Sequence, residues 1–167
     1  MTDMSKTILS LDGATKTGWA IYQDGYITQH GTKAFDRVLR NPQYGAWLSE
    51  MINKHKVTEV VAEDIYRDAS HTRDNAFHTL AQMQGVADYI TYTHNVPLTL
   101  IDPRRIKDCM LGTFCKYNSD LKAKMICRVE ALGYKLEHAK AHDEADAIGI
   151  LITYLKRLDL PLYVPRK

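Results

Sequence analysis

Residues 7–22 read TILSLDGATKTGWAIY, and the rest of the chain is best understood from this stretch. Its apolar start is typical of a strand that is buried on both faces, and Asp12 stands where that strand ends. Gly13 and Gly18 bracket a turn that can use positive φ before a second strand begins. A carboxyl at this place is costly unless it is paired, for example with a hard cation, but aspartate also commonly caps a turn.

The size and composition of the chain indicate one globular domain. With 167 residues, 45% hydrophobic and 25% charged, the chain can build one sizeable core but not two. We therefore predict a single domain over 1–167, with flexible or extended ends at 1–6 and 160–167. The net charge of +2 gives no argument for a nucleic-acid partner.

The N-terminus and the cysteines indicate the cellular compartment. There is no apolar signal segment at the start, and no run approaches the roughly 20 apolar residues that span a bilayer, so we expect a cytoplasmic protein without a membrane partner. The cysteines lack the spacing of a zinc site or a disulfide framework, and reduced thiols are expected. They are Cys109, Cys115 and Cys127.

The first half of the chain is predicted to alternate strands with one helix. The dipeptide DG precedes the segment 25–32, which is predicted as a third antiparallel strand. Helical spacing follows over 42–56, with Asn41 as the N-cap and Pro42 as the first helical residue. The apolar stretch 57–63 is predicted as a further short strand.

That short strand also ends in an acid, Glu63. If the strands that carry Asp12 and Glu63 are parallel neighbours, both carboxyls lie side by side at the carboxyl edge of the sheet. Ligand sites of open α/β sheets favour this edge. Two core strands that each end in an acid therefore favour a functional site over two unrelated turn caps.

The middle of the chain is predicted as a polar loop over 66–73 and a long helix from Asn75 to Thr93. One stripe of this helix is apolar, with steps of three and four residues that match a coiled-coil seam. Packing against the chain's own sheet is the commoner cause of such a stripe, and a homodimer contact is the alternative. The stripe consists of Ala76, Leu80, Met83, Ala87 and Ile90.

A strand over 96–101 and a short helix follow. Asp102 and the proline after it open this helix, which runs to about Leu111 with Gly112 as its stop. From 102 to 140 the chain carries nine basic and five acidic residues. A basic flank of this kind suits a phosphodiester substrate, although a solvated helix face explains any single lysine equally well.

The last predicted helix, over 141–155, carries acids in its first turn. Asp143 and Asp146 are three residues apart, so they share one face, and the apolar residues that continue this face direct it toward the core. Glu144 is explained as a partner of the helix dipole. The dipole does not explain two acids on the side that faces the core.

Four carboxyls thus point to one chemistry: Asp12, Glu63, Asp143 and Asp146. Brought together they repel one another unless cations neutralise them. Oxygen-only ligation selects Mg²⁺ or Mn²⁺ over zinc, and two such ions about 3.5–4 Å apart are the arrangement that hydrolyses phosphodiesters.

These motifs resemble those of the RuvC-type Holliday junction resolvases of the RNase H-like superfamily. The similar segments are LSLDG and TGWA in the first hairpin, VVAE at 60–63, AQMQGVA at 81–87 and HDEADAI at 142–148. The resemblance implies an α/β, RNase H-like fold. Its central five-stranded mixed sheet has three antiparallel strands followed by two parallel ones, with helices on both faces. It also implies the cytoplasm of a bacterium or of a phage-infected host cell.

The resemblance implies that Asp12, Glu63, Asp143 and Asp146 are the catalytic, metal-binding acids, with two Mg²⁺ or Mn²⁺ ions per active site. It further implies a homodimer through the helix from Asn75 to Thr93. Two active sites on one face of this dimer would nick opposing strands of branched DNA, the four-way junction above all.

For the DNA interface, the resemblance implies that the aromatic Tyr66 inserts near the junction centre and that Lys107 and Lys122 contact DNA. The family commonly has proline after its first aspartate, where this chain has Gly13, and the segment 67–74 does not follow the family pattern. In that segment the predicted DNA contacts are Arg67, His71 and Arg73.

His142, adjacent to Asp143, is predicted either to support the site or to transfer a proton. An isolated histidine at a helix start also serves simply as a cap.

Other classes of function stay open at this point. The pattern from Asp12 to Gly18 resembles the phosphate loop of actin-like kinases, but those enzymes need two domains and the chain is too short for them. A non-cleaving junction-binding dimer is a second alternative, and four unneutralised acids argue against it. The nearest rival is an RNase H-like nuclease that acts on RNA or on an RNA–DNA hybrid.

Overall fold

A computed structural model describes residues 6–65, 74–112, 120–138 and 141–164. The described strands form one five-stranded sheet in the order β3-β2-β1-β4-β5. The strands are β1 (Thr7–Asp12), β2 (Lys16–Gln23), β3 (Tyr26–Ala34), β4 (Glu59–Glu63) and β5 (Leu98–Ile101). The helices are α1 (Arg40–His55), α2 (Asp74–Thr93), α3 (Pro103–Leu111), α4 (Leu121–Ala131) and α5 (His142–Arg157).

The pairing of the strands confirms the predicted mixed sheet. Strands β1, β2 and β3 pair antiparallel, whereas β4 pairs parallel with both β1 and β5. The hairpin between β2 and β3 turns at Asp24 and Gly25, whose φ angles of 52° and 88° are both left-handed, as a tight hairpin turn requires. The three antiparallel strands followed by two parallel ones are therefore as predicted.

The sheet separates two hydrophobic cores. Ile8 and Val61 face a core built with α3, α4 and α5. Leu9 and Val60, their neighbours in sequence, face a second core built with α1 and α2. Alternate residues of each central strand thus go to opposite faces, and helices cover both faces of the sheet.

The start of α1 differs from the prediction. The helix begins at Arg40, and Asn41 is not its N-cap. Instead Asp36 Oδ1 accepts hydrogen bonds from the backbone N–H groups of Val38 (2.8 Å) and Leu39 (3.0 Å). This aspartate turn orders the chain ahead of the helix, so the side chain of Asn41 is not needed as a cap.

The start and the end of α3 agree with the prediction. Asp102 Oδ1 accepts a hydrogen bond of 2.8 Å from the backbone N–H of Arg104, and Pro103 occupies the first helical position. Gly112 ends the helix with a φ of 90°, which glycine adopts without steric cost.

The apolar stripe of α2 packs inside the subunit. Met83 and Ala87 are buried in the core that contains Leu9 and Leu48, so the centre of the stripe contacts the chain's own sheet and α1. Tyr89 and Tyr92, on another face of the same helix, are 66% and 80% exposed. The commoner of the two explanations, packing against the chain's own sheet, is therefore confirmed at the centre of the stripe, and the alternative of a coiled-coil seam is wrong there.

Two further features of the described residues bear on the sequence predictions. None of their helices is long and apolar enough to cross a membrane. Cys109 and Cys127 are free thiols, as expected. Cys115 and the predicted loop over 66–73, with its DNA-contact candidates, lie outside the described part of the chain.

Candidate active site

Two of the four predicted acids meet at one edge of the sheet. In the parallel pair β1–β4, Leu11 lies opposite Ala62, so Asp12 and Glu63 follow at neighbouring positions at the strand ends. Side chains alternate along a strand, so Asp12 shares its face with Ser10, and Glu63 with Val61. That face is the one covered by α5, because Ser10 Oγ donates a 2.8 Å hydrogen bond to the carbonyl oxygen of Ala147.

Helix α5 brings the other two acids, Asp143 and Asp146, to this edge. Gly18 allows the start of the helix to lie close to strand β2. Gly18 pairs with Asp12 across the first hairpin. A Cβ atom added to Gly18 would lie 1.8 Å from the backbone oxygen of Asp143. Gly18 does not have a positive φ, so the expectation of a left-handed turn residue is wrong there and at Gly13. Gly18 is needed because the backbone of α5 begins directly over it.

The pKa values show that the acids form one electrostatic group. Burial raises the pKa of Asp12 well above its usual value, and the nearby carboxyls of Asp146, Glu63 and Asp143 raise it further. Burial, followed by Glu63 and Asp143, raises the pKa of Asp146 to about 7. Burial is also the main cause of the raised pKa of Glu63. Close carboxyls that share a partly buried site cannot all ionise without a compensating charge.

Two lysines supply part of that charge from outside the sheet. Lys107 of α3 lowers the pKa values of Glu63 and Asp146, and Lys122 of α4 lowers those of Asp12 and Asp146. The structure thus brings both predicted DNA-contacting lysines beside the acids. The sequence did not single out α4, which carries Lys122.

A fifth carboxyl, Asp102, lies near the group and was predicted only as a helix cap. It raises the pKa of Glu63 in addition to burial. Asp12 and Glu63 are the last residues of β1 and β4, and Asp102 directly follows β5, so all three stand at the end of a core strand. That shared position in the sequence is the signal that could have identified it. Its Oδ1 caps α3, which explains its position without any role in chemistry.

Two further side chains contact or approach the acids. His142 Nε2 lies 3.3 Å from Asp143 Oδ1, so the predicted neighbour of Asp143 does contact its carboxyl. Tyr44 is buried in the core under α1, where burial and then the charge of Asp12 raise the pKa of its phenol. Tyr44 lies within the helix that the sequence predicted over 42–56, to which no role in the site was assigned.

The chemistry of the acids fits a hard divalent cation, although the carboxyls are not preassembled around one. Within 6–65, 74–112, 120–138 and 141–164, no group of three or more His, Cys, Asp or Glu residues is arranged to hold a metal ion. Burial is the first cause of the raised pKa values of Asp12, Glu63 and Asp146, and a bound cation would offset that cost for the ionised carboxyls. Oxygen is the only donor in the set, which is what Mg²⁺ and Mn²⁺ prefer.

The raised pKa values predict how the stability of the metal-free protein depends on pH. Between about pH 4 and pH 7 the folded state holds a proton on Asp146 that the unfolded chain has lost, so stability falls as pH rises through this range. Asp146→Asn removes this penalty. We expect its melting temperature in EDTA to equal that of the wild type near pH 4.5 and to exceed it by about 5 °C at pH 7.5.

The control for this measurement is Asp159→Asn. Asp159 is an exposed residue with a left-handed φ of 53°, which asparagine also tolerates. The melting temperature of the Asp159→Asn variant should equal that of the wild type at every pH. If the curves of Asp146→Asn and wild type run parallel from pH 4.5 to 7.5, the buried-carboxyl explanation is wrong.

Comparison with solved structures identifies the fold. The chain is similar to RuvC of T. thermophilus in complex with a Holliday junction substrate, with a TM-score of 0.68 and 15% identity over 91% of this chain and 96% of that one. It is also similar to the yeast mitochondrial Holliday junction resolvase Ydc2, with a TM-score of 0.62 and 12% identity. That match covers 90% of this chain and 78% of that one. For the fowlpox virus Holliday junction resolvase the TM-score is 0.61 and the identity 10%, and the match covers 90% of this chain and 99% of that one.

No protein-family model matches the sequence. No curated protein matches it either. At identities of 10–17% the likeness establishes the fold, so the chain has the RuvC-type, RNase H-like architecture that its motifs predicted.

Proposed function

We propose that this protein is a metal-dependent, structure-selective endonuclease that nicks opposing strands of four-way junctions or other branched DNA. One observation carries the proposal. Four carboxyls from β1, β4 and α5 converge at the carboxyl edge of the sheet, with two lysines beside them. This convergence occurs in a fold that the chain shares with solved Holliday junction resolvases.

Asp12, Glu63, Asp143 and Asp146 are the residues that would hold two Mg²⁺ or Mn²⁺ ions. When bound, such ions supply an activated water and stabilise charge on the leaving oxygen of the phosphodiester. The acids must release their protons to bind a cation, so the raised pKa values favour activity at neutral to alkaline pH. His142 contacts the Asp143 carboxyl at 3.3 Å and would help to orient it.

In this proposal the basic residues hold the DNA. Lys107 and Lys122 lie beside the acids and would bind the phosphates next to the scissile bond, where their charge also offsets that of the carboxyls. We assign Tyr66 to the DNA near the branch point on the strength of the motif resemblance. We assign Arg67 and Arg73 to the same DNA because they are basic residues of the segment that follows Tyr66.

We further propose that two copies pair through the outward face of α2, because opposing strands require two active sites. The apolar stripe is already used inside the subunit, which leaves the face with Tyr89, Tyr92 and Gly85. A Cβ added to Gly85 would contact nothing within 4 Å, so a second helix can approach closely there. Exposed tyrosines are typical anchors of protein interfaces.

Charge placed on this face should separate the copies. We expect the double variant Tyr89→Lys, Tyr92→Lys to sediment as a monomer at a concentration where the wild type is a dimer, because each lysine would have to be desolvated in the interface. Val38→Lys is the matched control, since Val38 is 87% exposed but lies outside α2. A double variant that stays dimeric would exclude this interface.

The proposed function is tested by incubating labelled four-way junction, flap, duplex and RNA–DNA hybrid with Mg²⁺ or Mn²⁺. Paired, symmetric nicks in the junction alone are the expected result. Equal cutting of flaps would widen the substrate class to branched DNA. Cutting of the RNA–DNA hybrid would show instead that the protein is a nuclease that acts on RNA. Tight junction binding without cleavage under either ion would overturn the enzyme proposal in favour of a binding dimer.

A further inference from the structure

Glu144 lies in the first turn of α5 between the two catalytic candidates of that helix, but its side chain is fully buried. Its Oε1 accepts a hydrogen bond of 2.5 Å from Nδ1 of His30, and its Oε2 accepts one of 2.9 Å from the backbone N–H of Glu137. The helix dipole alone does not account for a carboxyl that is removed from water, so the interpretation of Glu144 as a dipole partner is insufficient. A buried carboxyl is tolerated because specific partners satisfy it.

The partner His30 belongs to a row of residues that crosses the sheet beneath α5. Ser10 of β1 pairs with Ala20 of β2, and Ala20 pairs with His30 of β3, so all three lie on the same face. Ser10 Oγ donates to the carbonyl oxygen of Ala147, while His30 donates to Glu144. Both ends of one row therefore bind the first two turns of the helix.

The segment ahead of α5 is fixed to the same strand. Glu137 Oε2 accepts a hydrogen bond of 3.0 Å from Oγ1 of Thr32 in β3. The ring of Tyr134 packs edge-on against the ring of His30, with 6.2 Å between the ring centroids. The beginning of α5 is thus attached to β3 through both its own carboxyl and the chain that leads into it.

We propose that His30 and Glu144 are positioning residues that set the rotation of α5, so that Asp143 and Asp146 lie where they would hold a metal ion together with Asp12. The inference rests on the proposed metal-dependent function. Successive residues of a helix are about 100° apart, so Glu144 leaves α5 in a different direction from Asp143 and Asp146 and fixes the helix at a separate point of the sheet, on β3. A rotation of about 10° would move a carboxyl at the helix surface by about 1 Å, which is more than the ligands of a bound metal ion tolerate.

The experiment measures Mn²⁺ affinity by calorimetry at pH 7.5, well below the melting temperature of every variant. Glu144→Ala and His30→Ala should each weaken Mn²⁺ binding by about 10-fold, the lower end of what supporting partners of metal ligands contribute. His30→Asn should recover most of the affinity, because the asparagine amide nitrogen can take the place of Nδ1. Glu144→Gln keeps the shape of the side chain and should fall between the wild type and alanine.

Tyr154→Phe is the matched control for a merely structural loss. Tyr154 lies further along α5, where its hydroxyl donates to the carboxyl of Glu59 at the opposite end of the sheet. Loss of the Tyr154 hydroxyl should lower the melting temperature but leave the Mn²⁺ affinity within about 2-fold of the wild type, because this distant contact does not determine the position of the first turn of α5. A drop in affinity equal to that of the alanine variants would show a general effect of stability and overturn the inference.

The outcomes separate the inference from the proposed function. If Glu144→Ala does not fold, the pair His30→Ala and His30→Asn decides, since the His30 side chain is 18% exposed and easier to replace. Unchanged Mn²⁺ affinity in a folded alanine variant overturns the positioning role alone. Mn²⁺ binding with the expected losses but without DNA cleavage overturns the nuclease and leaves the positioning role intact. A wild type that binds no Mn²⁺ overturns both.

Discussion

Asp146→Asn should slow junction cleavage by about 10³-fold and leave junction binding equal or tighter. Asp146 lies on α5 and is one of the four clustered acids, and its charge interacts with those of Glu63 and Asp143. Loss of one ligand removes several kcal/mol of transition-state stabilisation, which corresponds to roughly 10³-fold in rate. The remaining site carries one negative charge fewer, so it repels phosphate less. Single-turnover cleavage and a mobility-shift assay in EDTA measure the two effects separately.

The control for this variant is again Asp159→Asn, which changes the net charge by the same amount on an exposed turn. It should cleave at the wild-type rate. A rate within 10-fold of the wild type in Asp146→Asn would show that this acid is not a ligand. Loss of both cleavage and binding would instead indicate that the fold had changed.

Gly18→Ala should have the second largest effect, although glycine to alanine is a small change elsewhere in a strand. The new Cβ would lie 1.8 Å from the carbonyl oxygen of Asp143 and 2.9 Å from the backbone nitrogen of Glu144. Backbone cannot move aside as a flexible side chain does, so the start of α5 must shift. We expect a loss of about 3 kcal/mol in the free energy of unfolding, the upper end for overpacking, and at least 10-fold weaker Mn²⁺ binding.

Gly13→Ala is the matched control, since it lies in the same hairpin and its added Cβ would meet nothing within 4 Å. Chemical denaturation should give Gly13→Ala a stability equal to or above that of the wild type, because alanine restricts the unfolded chain. If both variants are equally stable and bind Mn²⁺ equally well, α5 does not depend on close contact with Gly18 and the described geometry is wrong.

The sheet could be predicted from sequence because its signals are local. The apolar run before Asp12, the DG turn and the apolar run before Glu63 each define a strand within a few residues. The four acids could be singled out for the same reason, and the structure brings them close together. Each interrupts an apolar pattern, and a carboxyl where the pattern demands a core residue requires a physical explanation.

The parts that could not be predicted depend on contacts between distant segments. Glu144 is 114 residues from His30, and no local pattern connects them. Gly18 was explained by turn conformation, whereas its true constraint is the backbone of a helix that begins more than a hundred residues later. The apolar stripe of α2 fits both a seam between two subunits and packing inside one subunit. Only the packed structure distinguishes these two explanations.

The most direct test of the central claim uses a supercoiled plasmid whose inverted repeat extrudes as a four-way junction. Two opposed nicks made while the dimer is bound convert the plasmid to the linear form, whereas a single nick releases the supercoiling and leaves an open circle. With Mg²⁺ we predict linear product as the first product, none in EDTA, and none with Asp146→Asn. Open circles alone, or cleavage that persists in EDTA, would contradict the account of a metal-dependent enzyme that nicks opposing strands together.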